Sequence, residues 1–391
     1  MARVRANAWL LGVVVLLGAC DSGDEPEATT TPAAATTPAP SPTAMQPTSE
    51  PTDEHTEAQE PEVLFTGLDV PWGLGFLPDG AALVTERDTA RVLRLVPGEE
   101  PHALGTVPGV AAENESGLLG IAVSPDVAEN GHVFVYLTTA SDNRVLRMVL
   151  DGDGDELRAD VVVLDGIPRE TYHSGGRIEF GPDCYLYVAT GDAAVPSVSQ
   201  DPDSLGGKIL RVDEDGAPAP GNPTEGSPVW SAGHRNVQGL GWAADGRMFA
   251  SEFGQDTWDE LNLIEAGANY GWPQVEGVAD AGGFVDPLVQ WRPAEASPSG
   301  LAVSEEAVYV AALRGESLWR VPLAADGVGE PQRLLETDYG RLRAVEVAPD
   351  GRLWLLTSNT FRGDPAPDDD RIIAVDEAWL DATSTTEDAD D

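Results

Sequence analysis

A few side chains in this 391-residue sequence have the type and company for chemistry. His173 stands in Tyr172-His173-Ser174-Gly175-Gly176-Arg177, just ahead of a β-rich run. An imidazole changes charge near neutral pH, so at the mouth of a cavity it can accept a proton from a substrate. Arg235 lies between His234 and Asn236, Arg341 and Arg343 form a close pair, and Arg314 follows Ala311-Ala312-Leu313. The planar fork of arginine suits carboxylates and phosphates, so four such cations gathered together would hold an anion. The competing reading pairs each arginine with one of the chain's many acids. A third chemistry lies around Gly254, where Asp256, Asp259 and Glu260 fall close together. Hard oxygen ligands, loop carbonyls included, suit Ca²⁺, although a solvated acidic turn is the plainer explanation. No second histidine sits at metal-ligand spacing from His173, and His234 reads as structural. The Asp151–Glu156 run "DGDGDE" reads as a solvated hairpin loop.

The elements that must position these residues recur along the chain. Between Val63 and Val375 there is no long helical periodicity; an apolar run, a Pro-Asp-Gly-like turn and a second β-rich run repeat instead. The turns centre on Asp79, Asp126, Asp183, Asp245, Glu305 and Asp350, 45 to 62 residues apart. Each interval has room for about four short strands, the size of a propeller blade. An all-β, six-bladed β-propeller over 63–375 is expected, in preference to a pair of β-sandwiches. In such a ring the strand before each turn lines the central channel. Glu115, His173, Arg235, Arg341 and Arg343 lie 7 to 11 residues ahead of their own turns, as does Trp72. Their shared register predicts that they converge on one mouth, with Arg314 near the same rim.

The ends of the chain differ in composition. Arg3 and Arg5 precede an apolar run, Ala8–Ala19, too short to span a bilayer. The run ends in Leu17-Gly18-Ala19-Cys20, the pattern of a lipoprotein signal over 1–20 with lipid added to Cys20. Export and anchoring to the outer face of a bacterial cell membrane are therefore expected. With Cys20 acylated, Cys184 has no cysteine to pair with inside the chain. Cys184 itself occupies a position where a turn glycine would be expected. Residues 21–62 are rich in Pro, Thr, Ala and Glu and read as a disordered acidic tether; 376–391 read as a similar acidic tail. The formal charge is −44, and 63–375 alone keeps 50 acidic against 21 basic residues. Nucleic acid is a poor partner for such a surface.

Taken together, "VPWGLGFLPDG", "ESGLLGIAVSPD", "HSGGRIEFGPD", "GKILRVDEDG", "GHRNVQGLGW", "DELNLIEAGANYGWP" and "GRLRAVEVAPDG" resemble the soluble PQQ-dependent glucose/sorbosone dehydrogenases, also called aldose sugar dehydrogenases. The resemblance runs from about Val63 to Val375. It implies a six-bladed propeller that carries pyrroloquinoline quinone (PQQ), a small tricarboxylate, and Ca²⁺. The position of His173 matches the family's general base and Arg235 a group that stabilises charge on the reduced quinone. Asn236, Arg314, Arg341 and Arg343 match cofactor contacts, Arg314 standing where the family often has lysine. Glu115 matches a Gln or Glu near the active site, and Trp291 an aromatic wall over the substrate. Gly254 and Gln255 match the pair whose carbonyls hold the cofactor calcium, Gln255 replacing the usual proline. Glu260 and the Tyr270 carbonyl match a second, structural calcium site. Tyr172 replaces the usual Asp or Asn before the base, and Ala193-Ala194-Val195 replace polar residues near the sugar. Substrate contacts therefore depart from the family more than cofactor contacts do.

The resemblance implies oxidation of aldoses at C1 to lactones, with electrons passing to an acceptor the sequence does not identify. The alternative is a non-catalytic propeller that binds a carbohydrate or protein ligand; such a module has no need to keep both a base and an anion clamp. A calcium-dependent hydrolytic propeller would want more acidic and amide ligands along the channel. Gly-x-Ser-x-Gly, Gly-rich phosphate loops and His-Glu-x-x-His are absent from the sequence.

Overall fold

The computed structural model describes residues 59–387, with side chains described as far as Thr383. The signal, Cys20 and almost all of the tether lie outside the described residues. Twenty-five strands form six antiparallel sheets, each a blade. The innermost strands are Pro71–Phe76, Leu118–Val123, Gly175–Phe180, Val237–Trp242, Pro298–Val303 and Leu342–Val347. Each packs against the next around the axis, and the sixth returns to the first. All six Asp- or Glu-centred turns join the innermost strand of a blade to its second strand, so the repeat marks the same corner of every blade.

The second strands are buried on both faces, which is why Ala307–Ala312 reads as an apolar run rather than an alternating one. Between adjacent blades the apolar side chains form six clusters, one per gap. The inner strands run so close that side chains are excluded at some positions. A Cβ on Gly120 of blade 2 would lie 2.2 Å from the Gly176 carbonyl oxygen of blade 3.

The ring is closed by the start of the domain. Glu62–Phe65 pairs with Ile372–Val375 as the outer strand of blade 6, one residue ahead of the expected boundary at 63. At the other end the structure departs from the expectation of a tail. Glu377–Glu387 is a helix, and Leu380, 1% exposed, sits in the core between blades 5 and 6 with Trp379 packed beside it. Acidic composition hid the two apolar residues that dock it. The turn reading of Cys184 agrees with its left-handed backbone, φ 62°, matching Gly80, Gly246 and Gly351 in the equivalent turns. The sequence's other cysteine, Cys20, lies outside the described residues.

Candidate active site

Inner strands of different blades open onto one cavity of about 560 Å³ at the end of the channel where those strands begin. Trp72, Glu115, His173, Arg235, Arg314, Arg341 and Arg343 all line it, as their register predicts. Gln238 has the same register as Trp72 and Arg343, seven residues before its turn, and also lines the cavity. Gln238 is the site residue that the repeat could have revealed and that its neutral side chain concealed.

His173 heads blade 3 with a left-handed backbone, φ 55°. That geometry brings its carbonyl against the start of the next loop, where a Cβ on Gly191 would lie 1.8 Å from the His173 oxygen. Its Nδ1 lies 2.7 Å from Asp192 Oδ1, and Arg235 Nη2 donates to its Nε2 at 2.9 Å. Guanidinium only donates, so Nε2 carries a lone pair and Nδ1 carries the proton. The imidazole is thereby fixed in the Nδ1–H tautomer, its basic Nε2 on the cavity side and engaged by Arg235. Asp192 is fully buried and also accepts from Ala194 N and, at Oδ2, from Trp272 Nε1 at 2.9 Å. It was not singled out in the sequence, although an acid directly after the strand-ending Thr190-Gly191 is the available signal.

The arginines make no direct ion pair among the described residues. Among the described residues no carboxylate oxygen comes within 4.0 Å of a side-chain nitrogen of Arg235, Arg314, Arg341 or Arg343, whereas Arg362 at the rim pairs with Glu115 at 2.9 Å. Arg343 is 6% exposed; its Nη1 donates to Gln238 Oε1 and Ser299 Oγ. Arg235 and Arg341 donate only to carbonyls and, for Arg235, to His173. The Nε atoms of all three are buried without a partner. Burial, and then the charges of Arg87 and Arg341, press the Arg343 guanidinium well below its ordinary range. Burial lowers Arg235, and burial followed by Arg362 lowers Arg341. An anion entering this space would relieve all three. Trp72 forms part of the floor, its ring faced by Arg343 at 5.5 Å and Arg177 at 4.8 Å. Phe253 and Phe361 supply further flat surface.

Other expected site residues fall into distinct places. Gly254 and Gln255 line the cavity, their N–H groups bound to Asp259 Oδ1 and Glu276 Oε1. No hydrogen bond from the described residues reaches either carbonyl oxygen, so both suit a hard cation. Asp259 stands beside them and burial pushes its carboxyl up to about 6. Glu260 and Tyr270 lie behind the cavity wall. Burial and then Glu252 push Glu260 up to about 8, and the adjacent Asn262 Oδ1 is buried without a partner. Glu260 and the orphaned amide oxygen of Asn262 are oxygen donors of the kind Ca²⁺ accepts.

Three expected site residues fall outside the cavity lining. Trp291 does not wall the cavity: at 4% exposure it lies on the outermost strand of blade 4, Val289–Trp291, its ring 5.5 Å from Trp319. Asn236 does not line the cavity either; it is fully buried, and its Oδ1 accepts from Gly175 N at 2.9 Å, supporting the His173 loop. Tyr172 is outside the cavity lining, 43% exposed, with the Arg362 guanidinium 6.0 Å from its ring. Glu115 reaches the cavity, but its oxygens are taken by Arg362 and by His173 N. His234, bonded to Ser231 and Glu252, is fully buried, and Glu252 also accepts from Arg235 N. Its role is to seat Arg235.

A sequence profile for the glucose/sorbosone dehydrogenase family matches residues 68–363. The structure is similar to the PQQ-bound aldose sugar dehydrogenase of Streptomyces coelicolor, with 53% identity, 81% of this chain and 98% of that one covered, and a TM-score of 0.79. Aldose sugar dehydrogenase YliI of Escherichia coli K12 is 29% identical over 76% of this chain and 90% of its own length. Quinoprotein glucose dehydrogenase B of Acinetobacter calcoaceticus is 32% identical over 57% of this chain and 54% of its own length.

Proposed function

The chain belongs to the glucose/sorbosone dehydrogenase family, and from that premise we propose that it is a PQQ-dependent oxidoreductase that oxidises aldose sugars at C1 to lactones with the help of Ca²⁺. The observation that carries the reading is the set of buried, unpaired arginines on a cavity that also holds a tautomer-fixed imidazole.

Arg341 and Arg343, with Arg314 at the rim, would hold the cofactor's carboxylates, and Trp72 and Phe253 its flat faces. The carbonyls of Gly254 and Gln255 would hold one Ca²⁺; Glu260, Asn262 Oδ1 and the Tyr270 carbonyl would hold a second. PQQ, when bound, supplies the two-electron acceptor for the hydride leaving C1, and its calcium acts as a Lewis acid. Once the sugar hydroxyl displaces Arg235 from Nε2, His173 Nε2 takes the proton of the anomeric hydroxyl as the C1–O1 bond gains its double bond. Asp192 stabilises the imidazolium that results. Arg235, one bond from the imidazole, is placed to stabilise negative charge that develops beside it. With Ala193 and Ala194 next to the base, few polar side chains are available to select among sugars.

The test is purified protein loaded with PQQ and Ca²⁺, assayed with an artificial electron acceptor against a panel of aldoses. Dye reduction that depends on sugar, PQQ and Ca²⁺ supports the proposal; none with any sugar rejects it. Export and lipid attachment at Cys20 belong to the same proposal. An acylated Cys20 thiol cannot also join a disulfide, so intact mass before and after reduction decides. A chain beginning at a diacylglyceryl-cysteine supports the anchor, and an unmodified Cys20 rejects it.

A further inference from the structure

We propose that Trp272 is a positioning residue for the His173 base: one indole secures both groups that bracket the imidazole. The inference rests on the reading of His173 as the base. Trp272 lies in the loop between strands Asp259–Ile264 and Val289–Trp291 of blade 4, whereas His173 and Asp192 belong to blade 3. The indole is 9% exposed and crosses between the blades. Its Nε1–H donates to Asp192 Oδ2 at 2.9 Å, while Asp192 Oδ1 faces His173 Nδ1. Its ring lies 5.5 Å from the Arg235 guanidinium, which donates to His173 Nε2.

A carboxylate pivots about its own axis unless both oxygens are held. In Asp192, Oδ1 is held by His173 and Ala194, and the indole N–H is the side-chain donor on Oδ2. Without it the carboxylate can turn away from Nδ1, and the imidazole loses the bond that keeps its proton there. Among apolar ring side chains only tryptophan combines a flat face for Arg235 with an N–H donor. The backbone around it is pinned accordingly. Trp272 N donates to Gly233 O at 2.9 Å, and its carbonyl accepts from Gln200 Nε2 at 2.7 Å. Gln200 also exchanges two hydrogen bonds with Asn269, three residues earlier. The indole thus reports a rigid loop directly to the base, through hydrogen bonds rather than apolar packing alone.

The experiment is NMR of the full chain with ¹⁵N-labelled histidine, the His173 signals being identified by their loss in His173→Gln. Wild type should show one His173 tautomer, protonated at Nδ1. In Trp272→Phe the His173 Nδ1–H signal should shift upfield and broaden as the Asp192 carboxylate loosens, with kcat lowered roughly tenfold, the worth of about one hydrogen bond, and sugar KM within about twofold. An unchanged Nδ1–H signal and kcat in a folded Trp272→Phe protein would overturn the proposal and leave the indole as packing. A second reading needs no Trp272 variant. In ¹⁵N-tryptophan protein, Asp192→Asn should move one of the ten indole N–H signals strongly; ten unmoved signals overturn the proposal. Failure of the base reading is separate: it shows as full turnover in His173→Gln, whatever the indole does.

Discussion

Arg343 carries a charge that the protein alone does not balance. It is buried, has Arg87 and Arg341 for neighbours, and has no carboxylate within ion-pair distance among the described residues. Replacing it with methionine should therefore leave apoprotein stability unchanged or raise it, while PQQ affinity falls by about 10- to 100-fold, the scale of one or two charged hydrogen bonds. Thermal melts and cofactor titration check this; a lower melting temperature with unaltered PQQ affinity would mean the charge is structural. His173→Gln should lower turnover by about 100-fold or more and leave PQQ affinity within about twofold, measured by single-turnover sugar oxidation. At this scale the sequence made the cationic residues legible, because their distances from the turn repeat between blades. Gln238 shares that distance and was missed because an amide attracts no attention beside charged groups. Phe361 and Arg362 were not legible, since they come from a blade 6 loop outside the repeat. Trp291 was misplaced by reading its aromatic type without its strand: an outermost strand is far from the axis and turns its ring toward the next blade.

Among elements, the loops at the cavity mouth depend on close backbone contacts. A Cβ on Gly191 would collide with the His173 carbonyl, so Gly191→Ala must displace the base or the loop. Turnover should fall by at least about tenfold and stability by about 1–3 kcal/mol, read by assay and chemical denaturation. The Glu260 segment gives a pH-dependent test. Its carboxyl, pushed up to about 8, keeps its proton in the folded apoprotein long after an unfolded glutamate, at about 4.3, has lost it. The folded state then binds more protons than the unfolded state, so this group's contribution to stability declines as pH rises from about 4.3 to 8. Ca²⁺ needs the deprotonated carboxylate, so its stabilising effect should grow over the same interval. Melts with and without Ca²⁺ across that range check it; a calcium effect that shrinks with rising pH would remove Glu260 from the ligand set. The acid-rich run was legible as a cation candidate, but the division between Asp259 at the cavity and Glu260 behind it was not. That division is set by strand alternation, which the loop-like composition concealed.

For the molecule as a whole, the six repeated turns were enough to read the ring, because every blade uses the same corner to join its first two strands. The domain start was legible to within a residue, but its pairing into the last blade and the docked C-terminal helix were not, since two apolar residues among acids leave no periodic signal. Removing residues 1–58 should leave stability intact, whereas removing 1–66 deletes the strand paired with Ile372–Val375 and should open the ring, seen as a large loss in denaturation midpoint. Ending the chain at Asp376 removes Leu380 from the core and should cost about 2 kcal/mol without changing turnover per folded molecule. The central claim is that the ring gathers an anion clamp and a base around one redox cofactor. The most direct measurement is anaerobic absorbance of the protein titrated with PQQ in Ca²⁺, followed by an aldose. The expected result is saturable binding, then sugar-dependent bleaching of the quinone in wild type, with binding but bleaching slowed by about 100-fold or more in His173→Gln and weakened binding in Arg343→Met. A quinone spectrum that never changes on adding protein, or equal bleaching rates in wild type and His173→Gln, would contradict it.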